Sequence, residues 1–156
     1  KIILPSSTDL NLSIQTIDRE DIEILRQWKN NHHDAFFHQE IILPEQQERW
    51  FSSFCKRQHE YMFVVCYKKL KIGCMGFRLL DNTIDIYNVI LGSNDYGGRG
   101  LMSQAMQNML RFIQSLYTQD IRAKIVNGNP AVKWYEKNGF KVIKTTDQYY
   151  LVQFNI

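Results

Sequence analysis

Three strand-like segments follow one another through the middle of the chain, and they constrain the fold more than any other feature of the sequence. Residues 61–67, 71–80 and 83–91 are rich in apolar, β-branched and aromatic residues, a composition typical of strands. The pairs Lys68-Lys69 and Asp81-Asn82 separate the segments, and short polar breaks of this kind predict turns. The sequence therefore predicts three consecutive strands joined by two short turns.

Four helix-like segments flank these strands. The predicted helices begin after Asp18, at Pro44, at Leu101 and at Pro130, and the last two extend to Tyr117 and Asn138. In the first three, apolar residues recur at helical spacing. Asp18 is a predicted N-cap with Asp21 as its capping-box acid, and Gly139 is a predicted C′ residue.

Further strands are predicted at residues 12–16, 121–126, 140–145 and 149–154. The resulting order, β-α-α-β-β-β-α-β-α-β-β, is typical of an α/β domain in which a mixed sheet has helices on both faces. A length of 156 residues fits one domain of ordinary size. Residues 1–156 are therefore predicted to form a single domain.

Charge and composition exclude several classes of protein. A net charge of +3 is too small to indicate a nucleic-acid-binding protein, although it is compatible with an anionic small molecule. No window approaches the ~18 apolar residues of a membrane span, and the apolar run at residues 1–5 is too short for a signal peptide. Nucleic-acid and membrane partners are therefore not expected.

The cysteines and histidines predict neither a disulfide nor a metal site. Cys55, Cys66 and Cys74 are odd in number and form no CxxC pair, which favours reduced thiols and a cytoplasmic protein. His32 and His33 are adjacent, which is not the spacing of helical zinc ligands, and no Cys or carboxylate pattern supports zinc. No metal cofactor is expected.

A loop dense in glycine lies between the third central strand and the long helix. Residues 92–100 read Gly-Ser-Asn-Asp-Tyr-Gly-Gly-Arg-Gly. A glycine loop at a helix N-terminus presents free backbone N–H groups, which bind phosphate together with the helix dipole. From this segment alone, a phosphate-binding loop and an ordinary strand-to-helix turn are equally supported.

The segment from Asn129 to Phe140 carries the most specific motif of the chain. It reads Asn-Pro-Ala-Val-Lys-Trp-Tyr-Glu-Lys-Asn-Gly-Phe and resembles the last motif of the GCN5-related N-acetyltransferase (GNAT) superfamily, in which an Asn-x-x-Ala-x-x-x-Tyr-like helix ends in Gly-Phe. The glycine loop and the element order are similar to that superfamily over essentially the whole chain. The resemblance implies a mostly antiparallel sheet that is splayed in the middle, with acetyl-CoA as co-substrate.

The resemblance also implies which residues bind the cofactor, although the loop departs from the usual Arg/Gln-x-x-Gly-x-Gly/Ala pattern. Gly97 stands at the Arg/Gln position and Met102 at the last small position, so Arg99 is expected to compensate as a charge partner for phosphate. Backbone N–H groups near Ile90 and Leu91 are expected to face the tetrahedral oxyanion. The implied cofactor-binding residues are Ile90, Leu91, Gly97, Gly98, Arg99, Gly100, Leu101, Met102, Asn127, Asn129 and Tyr135.

Two asparagines follow the strand predicted at residues 121–126. The amides of Asn127 and Asn129 are expected to bond to the pantetheine arm of the cofactor, which carries amide groups of its own. Asn129 is also a candidate N-cap ahead of Pro130, and the two roles are compatible.

The same resemblance suggests the groups that move protons. Tyr135 is the candidate acid that protonates the leaving thiolate, since a neutral tyrosine is a proton donor; the alternative is a core-facing aromatic. Asp85 is the candidate base, acting through water; the alternative is a solvated acid at a strand end. Alternation along the strand places Asp85 and Tyr87 on one side and Asn88 on the other.

The N-terminal half resembles the branch of the superfamily that acetylates nucleotide-linked amino sugars. That branch has Trp-Arg-Asn on the first helix and His-x-x-Trp-Phe on the second; here Lys29 replaces the Arg and Gln47 stands at the His position. The expected acceptor is a 4-amino sugar on a nucleotide diphosphate, and the alternative is a protein N-terminus or another small amine. The residues expected to bind the acceptor are Trp28, Lys29, Asn30, His38 and Tyr87.

Two further interpretations stay open at this level. A non-catalytic acyl-CoA-binding module would keep the same fold, and the absence of a Glu from residues 83–91, where the superfamily often has one, is compatible with it. The aromatic strands at residues 140–154 are compatible with pairing to a second copy of the chain, which would give a homodimer.

Overall fold

The computed structural model describes residues 1–37 and 40–154 and places eight strands in one sheet. The strands are β1 (Ile3–Pro5), β2 (Leu12–Thr16), β3 (Glu60–Tyr67), β4 (Leu70–Leu80), β5 (Thr83–Leu91), β6 (Ile121–Val126), β7 (Phe140–Thr145) and β8 (Tyr149–Phe154). The helices are α1 (Ile22–Asn31), α2 (Pro44–Phe54), α3 (Leu101–Leu116) and α4 (Ala131–Lys137). The predicted order is confirmed, with β1 as an additional strand that was too short to be recognised by its pattern.

The sheet is antiparallel except at one pair of strands. Its order is β1-β2-β3-β4-β5-β6-β8-β7, and among these strands only β5 and β6 run parallel. The two predicted turns are confirmed, because Lys68, Lys69, Asp81 and Asn82 all have φ between 49° and 68°. This left-handed conformation at both central residues is the one that two-residue hairpin turns favour.

The sheet opens between β5 and β6. The two strands pair over three residues, from Ile84 opposite Ile121 to Ile86 opposite Ala123. Beyond that point, β5 continues to Leu91 and β6 to Val126 with no pairing between their described residues. The mostly antiparallel sheet, splayed in the middle, is therefore confirmed.

A β-bulge interrupts β5 at the start of this gap. One residue of β4, Met75, lies opposite two residues of β5, Asn88 and Val89, and Asn88 has a φ of 52°. Alternation predicts that Asn88 faces away from Tyr87. Instead, Asn88 Oδ1 accepts a hydrogen bond of 2.9 Å from Lys29 Nζ, on the face where Tyr87 also packs. That prediction was wrong because a bulge adds one residue and re-aims the side chains that follow it.

Two hydrophobic cores lie on opposite faces of the sheet. Alternate residues of β3 divide between them, with Met62 and Val64 in one core and Phe63 and Val65 in the other. Helices α1 and α2 cover the first core, and α3 and α4 cover the second. The predicted arrangement of helices on both faces is thus confirmed.

Local signals in the sequence account for where the helices begin and end. Asp21 Oδ2 accepts a hydrogen bond of 2.8 Å from the Asp18 N–H, as a capping-box acid does. Pro44 is the first residue of α2, and Gly139, which follows α4, has a φ of 95°. Within residues 1–37 and 40–154, no helix has the length and apolar character to span a membrane.

Candidate active site

The gap between β5 and β6 widens into a cavity of about 660 Å³. Side chains from α1, β3, β4, β5, β6 and α4 line it, together with the segment that follows α1. Five residues singled out in the sequence are among them: Lys29, Asp85, Tyr87, Asn129 and Tyr135. The fold therefore brings the candidate acid, the candidate base and two candidate acceptor contacts to one cavity.

Tyr135 is the aromatic residue that α4 presents to the cavity. It is 7% exposed, and its ring meets those of Trp134 and Phe140 edge-on, at centroid distances of 5.1 and 5.2 Å. Its hydroxyl bonds to none of the described residues, and the residue lines the cavity. Burial, and after it the carboxylate of Asp85, raises the pKa of Tyr135. The phenol is therefore protonated at neutral pH.

Asp85 forms an ion pair across the hairpin of β4 and β5. Arg78 lies opposite it in register, and Arg78 Nε donates to Asp85 Oδ2 at 3.0 Å. The same guanidinium lies over the ring of Tyr87, 4.7 Å from its centroid. Burial raises the pKa of Asp85, although Arg78 opposes this shift. A carboxylate with a raised pKa is a better proton acceptor than an ordinary one.

A second carboxylate, Glu60, was not recognised in the sequence. It is the first residue of β3 and lines the cavity, with its side chain 7% exposed. Glu60 Oε2 accepts hydrogen bonds from the Tyr87 hydroxyl at 2.6 Å and from Arg57 Nη1 at 3.1 Å. Burial, and then the hydrogen bond to Glu60, raises the pKa of Tyr87. Tyr87 is therefore a neutral hydroxyl held in place by a carboxylate.

Lys29 brings a partly buried cation to the cavity. Its Nζ donates to Asn88 Oδ1 and lies 4.8 Å from the centroid of the Phe36 ring. Burial lowers the pKa of Lys29, and none of the carboxylates in the described part of the chain forms an ion pair with it. A partly buried charge without a counter-ion is stabilised by a ligand of opposite charge, so this position is suited to an anionic ligand.

The other candidate acceptor residues lie elsewhere. Trp28 is buried in the core below α1, where a Cβ atom on Gly92 would come within 2.1 Å of its ring. Both ends of the Asn30 amide bond to the backbone of Ile42, at 2.8 and 3.0 Å. His38 lies outside the residues that the structure describes. Trp28 and Asn30 therefore hold α1 and the segment before α2 beside the cavity.

Residues 32–37, which follow α1, lie beside the cavity. Phe36 and Phe37 line it, and the Phe37 ring meets Tyr149 of β8 edge-on at a centroid distance of 6.1 Å. His32 and His33 are bonded through Nδ1 to backbone carbonyls at 2.9 and 3.0 Å. These residues thus bridge the gap between β5 and β6, from α1 on one side to β8 on the other.

The glycine loop ends in free backbone donors. Gly98 and Gly100 have φ of 72° and 73°, and a Cβ atom on either would meet nothing within 4 Å. Among the described residues, no acceptor is bonded to the N–H groups from Gly98 to Ser103, whereas the Gly97 N–H donates to the Asn94 carbonyl at 3.0 Å. Such an array at the N-terminus of α3 suits a phosphate group.

The side chains of this loop leave that array open. Arg99 donates to the Tyr67 hydroxyl at 3.2 Å, and its guanidinium lies 5.0 and 5.6 Å from the centroids of Tyr67 and Tyr96. Met102 points inward, since a Cβ atom on Gly73 would lie 3.0 Å from its sulfur. The large residue at a usually small position is therefore accommodated against β4.

The backbone of β5 presents a donor to the gap. The Gly92 N–H donates to the Ile72 carbonyl at 2.7 Å. Because N–H directions alternate along a strand, the Leu91 N–H points away from β4 and toward the gap, and the Ile90 N–H points toward β4. Leu101, the first residue of α3, is buried in the core, so its backbone N–H is what it offers to a ligand.

The two asparagines expected to contact the pantetheine arm differ in which side-chain amide group remains without a hydrogen bond. Asn129 Oδ1 accepts from the Ala131 N–H at 2.9 Å, which is a capping contact, and its side chain lines the cavity. Asn127 Nδ2 donates to the Thr146 carbonyl at 2.8 Å, while its buried Oδ1 has no partner among the described residues. Asn129 therefore keeps an amide N–H₂ group for a ligand.

Charges are unequal in the cavity, with an excess of basic side chains. The basic lining residues are Lys29, Arg57, Arg78, Arg122 and Lys124, and the acidic ones are Glu60, Asp81 and Asp85. Lys124 lies over the Tyr149 ring, 5.0 Å from its centroid. The cavity therefore combines two partly buried carboxylates, Glu60 and Asp85, with a surplus of positive charge.

Sequence reasoning missed most of these charged residues. The pair Arg78–Asp85 had a signal, because a two-residue turn at Asp81-Asn82 sets the register that places them opposite each other. No sequence signal marked Glu60, since charged residues are common at the end of an apolar strand, where it stands. Its partner Tyr87 lies 27 residues away in the sequence.

Comparison with known proteins agrees with this geometry. A family model described as an acetyltransferase (GNAT) domain matches residues 11–141. No curated protein matches the sequence.

Three solved structures illustrate how widely the fold is shared. Apo FdhC, described as a nucleotide-linked sugar GNAT, has a TM-score of 0.80 at 15% identity, covering 99% of this chain and 90% of that one. Spermidine N-acetyltransferase from Vibrio cholerae, in complex with CoA and spermine, has a TM-score of 0.75 at 18% identity, covering 93% of this chain and 94% of that one. RimL, a ribosomal L7/L12 alpha-N-protein acetyltransferase in complex with coenzyme A, has a TM-score of 0.75 at 16% identity, covering 97% of this chain and 95% of that one. At these identities, the likeness shows the fold and leaves the acceptor open.

Proposed function

Since the chain belongs to the acetyltransferase (GNAT) family, we propose that it moves an acetyl group from acetyl-CoA to the primary amine of a nucleotide-linked amino sugar. Family membership supplies the class of enzyme, an acyl-CoA-dependent N-acetyltransferase. The choice of acceptor depends on the charges of the cavity described above.

The choice of acceptor rests on one observation, which is that the partly buried Lys29 has no carboxylate partner among the described residues. A cation in this position favours a ligand that brings its own negative charge. The surplus of basic side chains in the same cavity points the same way. A diphosphate attached to the amino sugar would supply that charge, whereas a polyamine acceptor would be repelled. Tyr87 would contact the acceptor beside Lys29.

The residues for acetyl-CoA fit its groups. The free N–H groups from Gly98 to Ser103 would receive the pyrophosphate, with Arg99 adding charge. The free amide end of Asn129 would bond to the pantetheine arm, and Asn127 would support it. The Leu91 N–H would face the thioester oxygen, with Ile90 holding the strand in place. These assignments need no metal ion.

Asp85 and Tyr135 would act as a coupled base and acid. Asp85 takes a proton from the ammonium group, through water, and the neutral amine attacks the thioester carbonyl. The tetrahedral intermediate collapses, the C–S bond breaks, and Tyr135 gives a proton to the thiolate. Because the Asp85 carboxylate raises the pKa of Tyr135, protonation of Asp85 makes Tyr135 a better donor. The second nitrogen proton restores Tyr135, and Asp85 releases its proton to solvent.

A panel of three amines tests the choice of acceptor. A nucleoside-diphosphate 4-amino sugar, spermidine and a peptide with a free N-terminus are compared by kcat/KM with acetyl-CoA. We expect the sugar nucleotide to have the highest value. Lys29→Met should lower that value about tenfold, the size of a lost charged hydrogen bond, and should raise the spermidine value, because it removes a charge that repels a polyamine.

Two outcomes would contradict the proposal at different levels. A preference for spermidine or the peptide would reject the sugar nucleotide and keep the enzyme class. No binding of acetyl-CoA in calorimetry would instead support a non-catalytic module.

The setting of the enzyme is part of the same proposal. All three cysteines are free thiols, and Cys66 and Cys74 are buried. Reduced thiols and an acetyl-CoA co-substrate are both consistent with the cytoplasm. Pairing of a second copy at β7, which lies at one edge of the sheet, stays a prediction.

A further inference from the structure

We propose that Glu60 binds the ammonium group of the acceptor, so that Glu60 and Asp85 together form the amine subsite. This inference rests on the proposed acetyl transfer, but it does not depend on which amine is the acceptor. Nothing in the sequence pattern assigns Glu60 a role, because it stands on β3 and not on β5, the strand that corresponds to the usual position of a superfamily glutamate.

Glu60 has one occupied oxygen and one free oxygen. Both of its donors, the Tyr87 hydroxyl and Arg57 Nη1, bond to Oε2. Oε1 accepts no hydrogen bond from the described residues, and Glu60 lines the cavity that Tyr135 and Asp85 also line. A carboxylate held on one side by two donors therefore presents its other oxygen, in a fixed direction, to a ligand.

Among the described residues, no cationic side chain bonds to the free oxygen of Glu60. Arg57 is bound to Oε2, and Arg78 donates to Asp85 and lies over Tyr87. Burial raises the pKa of Asp85, Arg78 and Lys124 lower it, and the charge of Glu60 raises it by a smaller amount. Two carboxylates that repel each other in one cavity are stabilised by a cation between them. An acceptor ammonium is the cation that acetyl transfer supplies.

The two carboxylates would then have different tasks. Glu60 Oε1 would hold the ammonium by a charged hydrogen bond, and Asp85 would take the proton. With Lys29 in the same cavity, the site would recognise an amine and an anion in one molecule. Glu60 thus selects for the amino group itself, and Lys29 for the charge that accompanies it.

Glu60→Gln tests the inference with little change of shape. The glutamine oxygen can still accept from Tyr87, so the variant removes mainly the charge. We expect the KM of the best acceptor in the three-amine panel to rise about tenfold, with the acetyl-CoA Kd from calorimetry unchanged. Glu48→Gln, which alters an exposed carboxylate of α2 paired with Arg19, is the matched control and should behave as wild type.

Two further measurements separate charge recognition from a structural effect. An acceptor analogue with a hydroxyl in place of the amine should inhibit wild type and Glu60→Gln with the same Ki. Tyr87→Phe, which leaves the charge of Glu60 in place, should raise the acceptor KM much less than Glu60→Gln does; an equal rise would mean that Glu60 acts only by holding Tyr87.

The outcomes are distinct from those for the proposed function. If spermidine or the peptide is the best acceptor and Glu60→Gln raises its KM, the sugar nucleotide is rejected and the amine subsite stands. If Glu60→Gln folds, as judged by thermal melting, and leaves the acceptor KM unchanged, the subsite is rejected. Should Glu60→Gln not fold, Glu60→Asp, which withdraws the carboxylate, must raise KM for the inference to hold. If none of the three amines binds to the wild type, both proposals fail.

Discussion

The two halves of the candidate active site are built in different ways. The glycine loop before α3 offers backbone N–H groups from consecutive residues. The cavity beside residues 32–37 is lined by side chains that come from α1, β3, β4, β5 and β6. The first half depends on local conformation, and the second depends on the register of distant strands. A backbone site tolerates an atypical sequence, whereas a side-chain site changes with each substitution.

The largest expected effect is at Tyr135, where a single hydroxyl is the proposed acid. Tyr135→Phe removes the hydroxyl and keeps the ring packed against Trp134 and Phe140. We expect kcat to fall about 100-fold, within the usual range for general acid catalysis, while calorimetry gives an unchanged acetyl-CoA Kd. Wild-type turnover in the variant would show that chemistry at this site does not depend on that side chain.

A smaller effect is expected at the backbone half. Gly100 has a φ of 73°, and an alanine there costs roughly 1–2 kcal/mol in the left-handed conformation, so Gly100→Ala should weaken acetyl-CoA binding about tenfold. Gly97→Ala is the control, because Gly97 has a φ of −73°, which alanine adopts, and the added Cβ atom would make its nearest contact at 3.3 Å, with the Asn94 carbonyl oxygen. Equal Kd values for the two variants would contradict a site formed by backbone donors.

Asn129 tests whether the cofactor half also uses a side chain. Asn129→Ser keeps a capping oxygen for the Ala131 N–H and removes the amide N–H₂ group. We expect the acetyl-CoA Kd to rise about fivefold, the value of one hydrogen bond, with little change in Tm. A drop in Tm with unchanged Kd would leave Asn129 with its capping role only.

The smallest effect is a shift in pH dependence at the side-chain half. As pH falls through the pKa of Asp85, the proposed base becomes protonated and kcat/KM falls. Glu60 raises that pKa and Arg78 lowers it, so Glu60→Gln should move the acid limb to lower pH and Arg78→Gln to higher pH. The ionisation of the amine is common to all variants. An acid limb at the same pH in both variants would exclude Asp85 as the base.

The sequence predicted the elements well, because each has local causes. The strand predicted at residues 83–91 is β5, and the turns at Lys68-Lys69 and Asp81-Asn82 have the backbone that their residues favour. It also singled out Tyr135 and the glycine loop, because each lies within one continuous motif. What is local in the chain is thus visible in the sequence.

The charged side chains of the cavity were mostly not visible. Glu60 and Tyr87 meet because β3, β4 and β5 pair in one register, and that register is a property of three strands together. The predicted direction of the Asn88 side chain was wrong for a related reason, since composition does not indicate that β5 contains one extra residue. Local patterns do not reveal which polar residues face inward across a gap.

The bulge at Asn88 and Val89 reverses the face of the sheet to which even-numbered residues of β5 point. Before it, Ile84 and Ile86 belong to the core below α3; after it, Ile90 belongs to the core below α1 and α2. A deletion of one residue here would exchange the two environments for the rest of the strand, and would rotate the Leu91 N–H away from the gap. The number of residues in β5 therefore determines which side chains and N–H groups face the gap, and a substitution at one position cannot restore that arrangement.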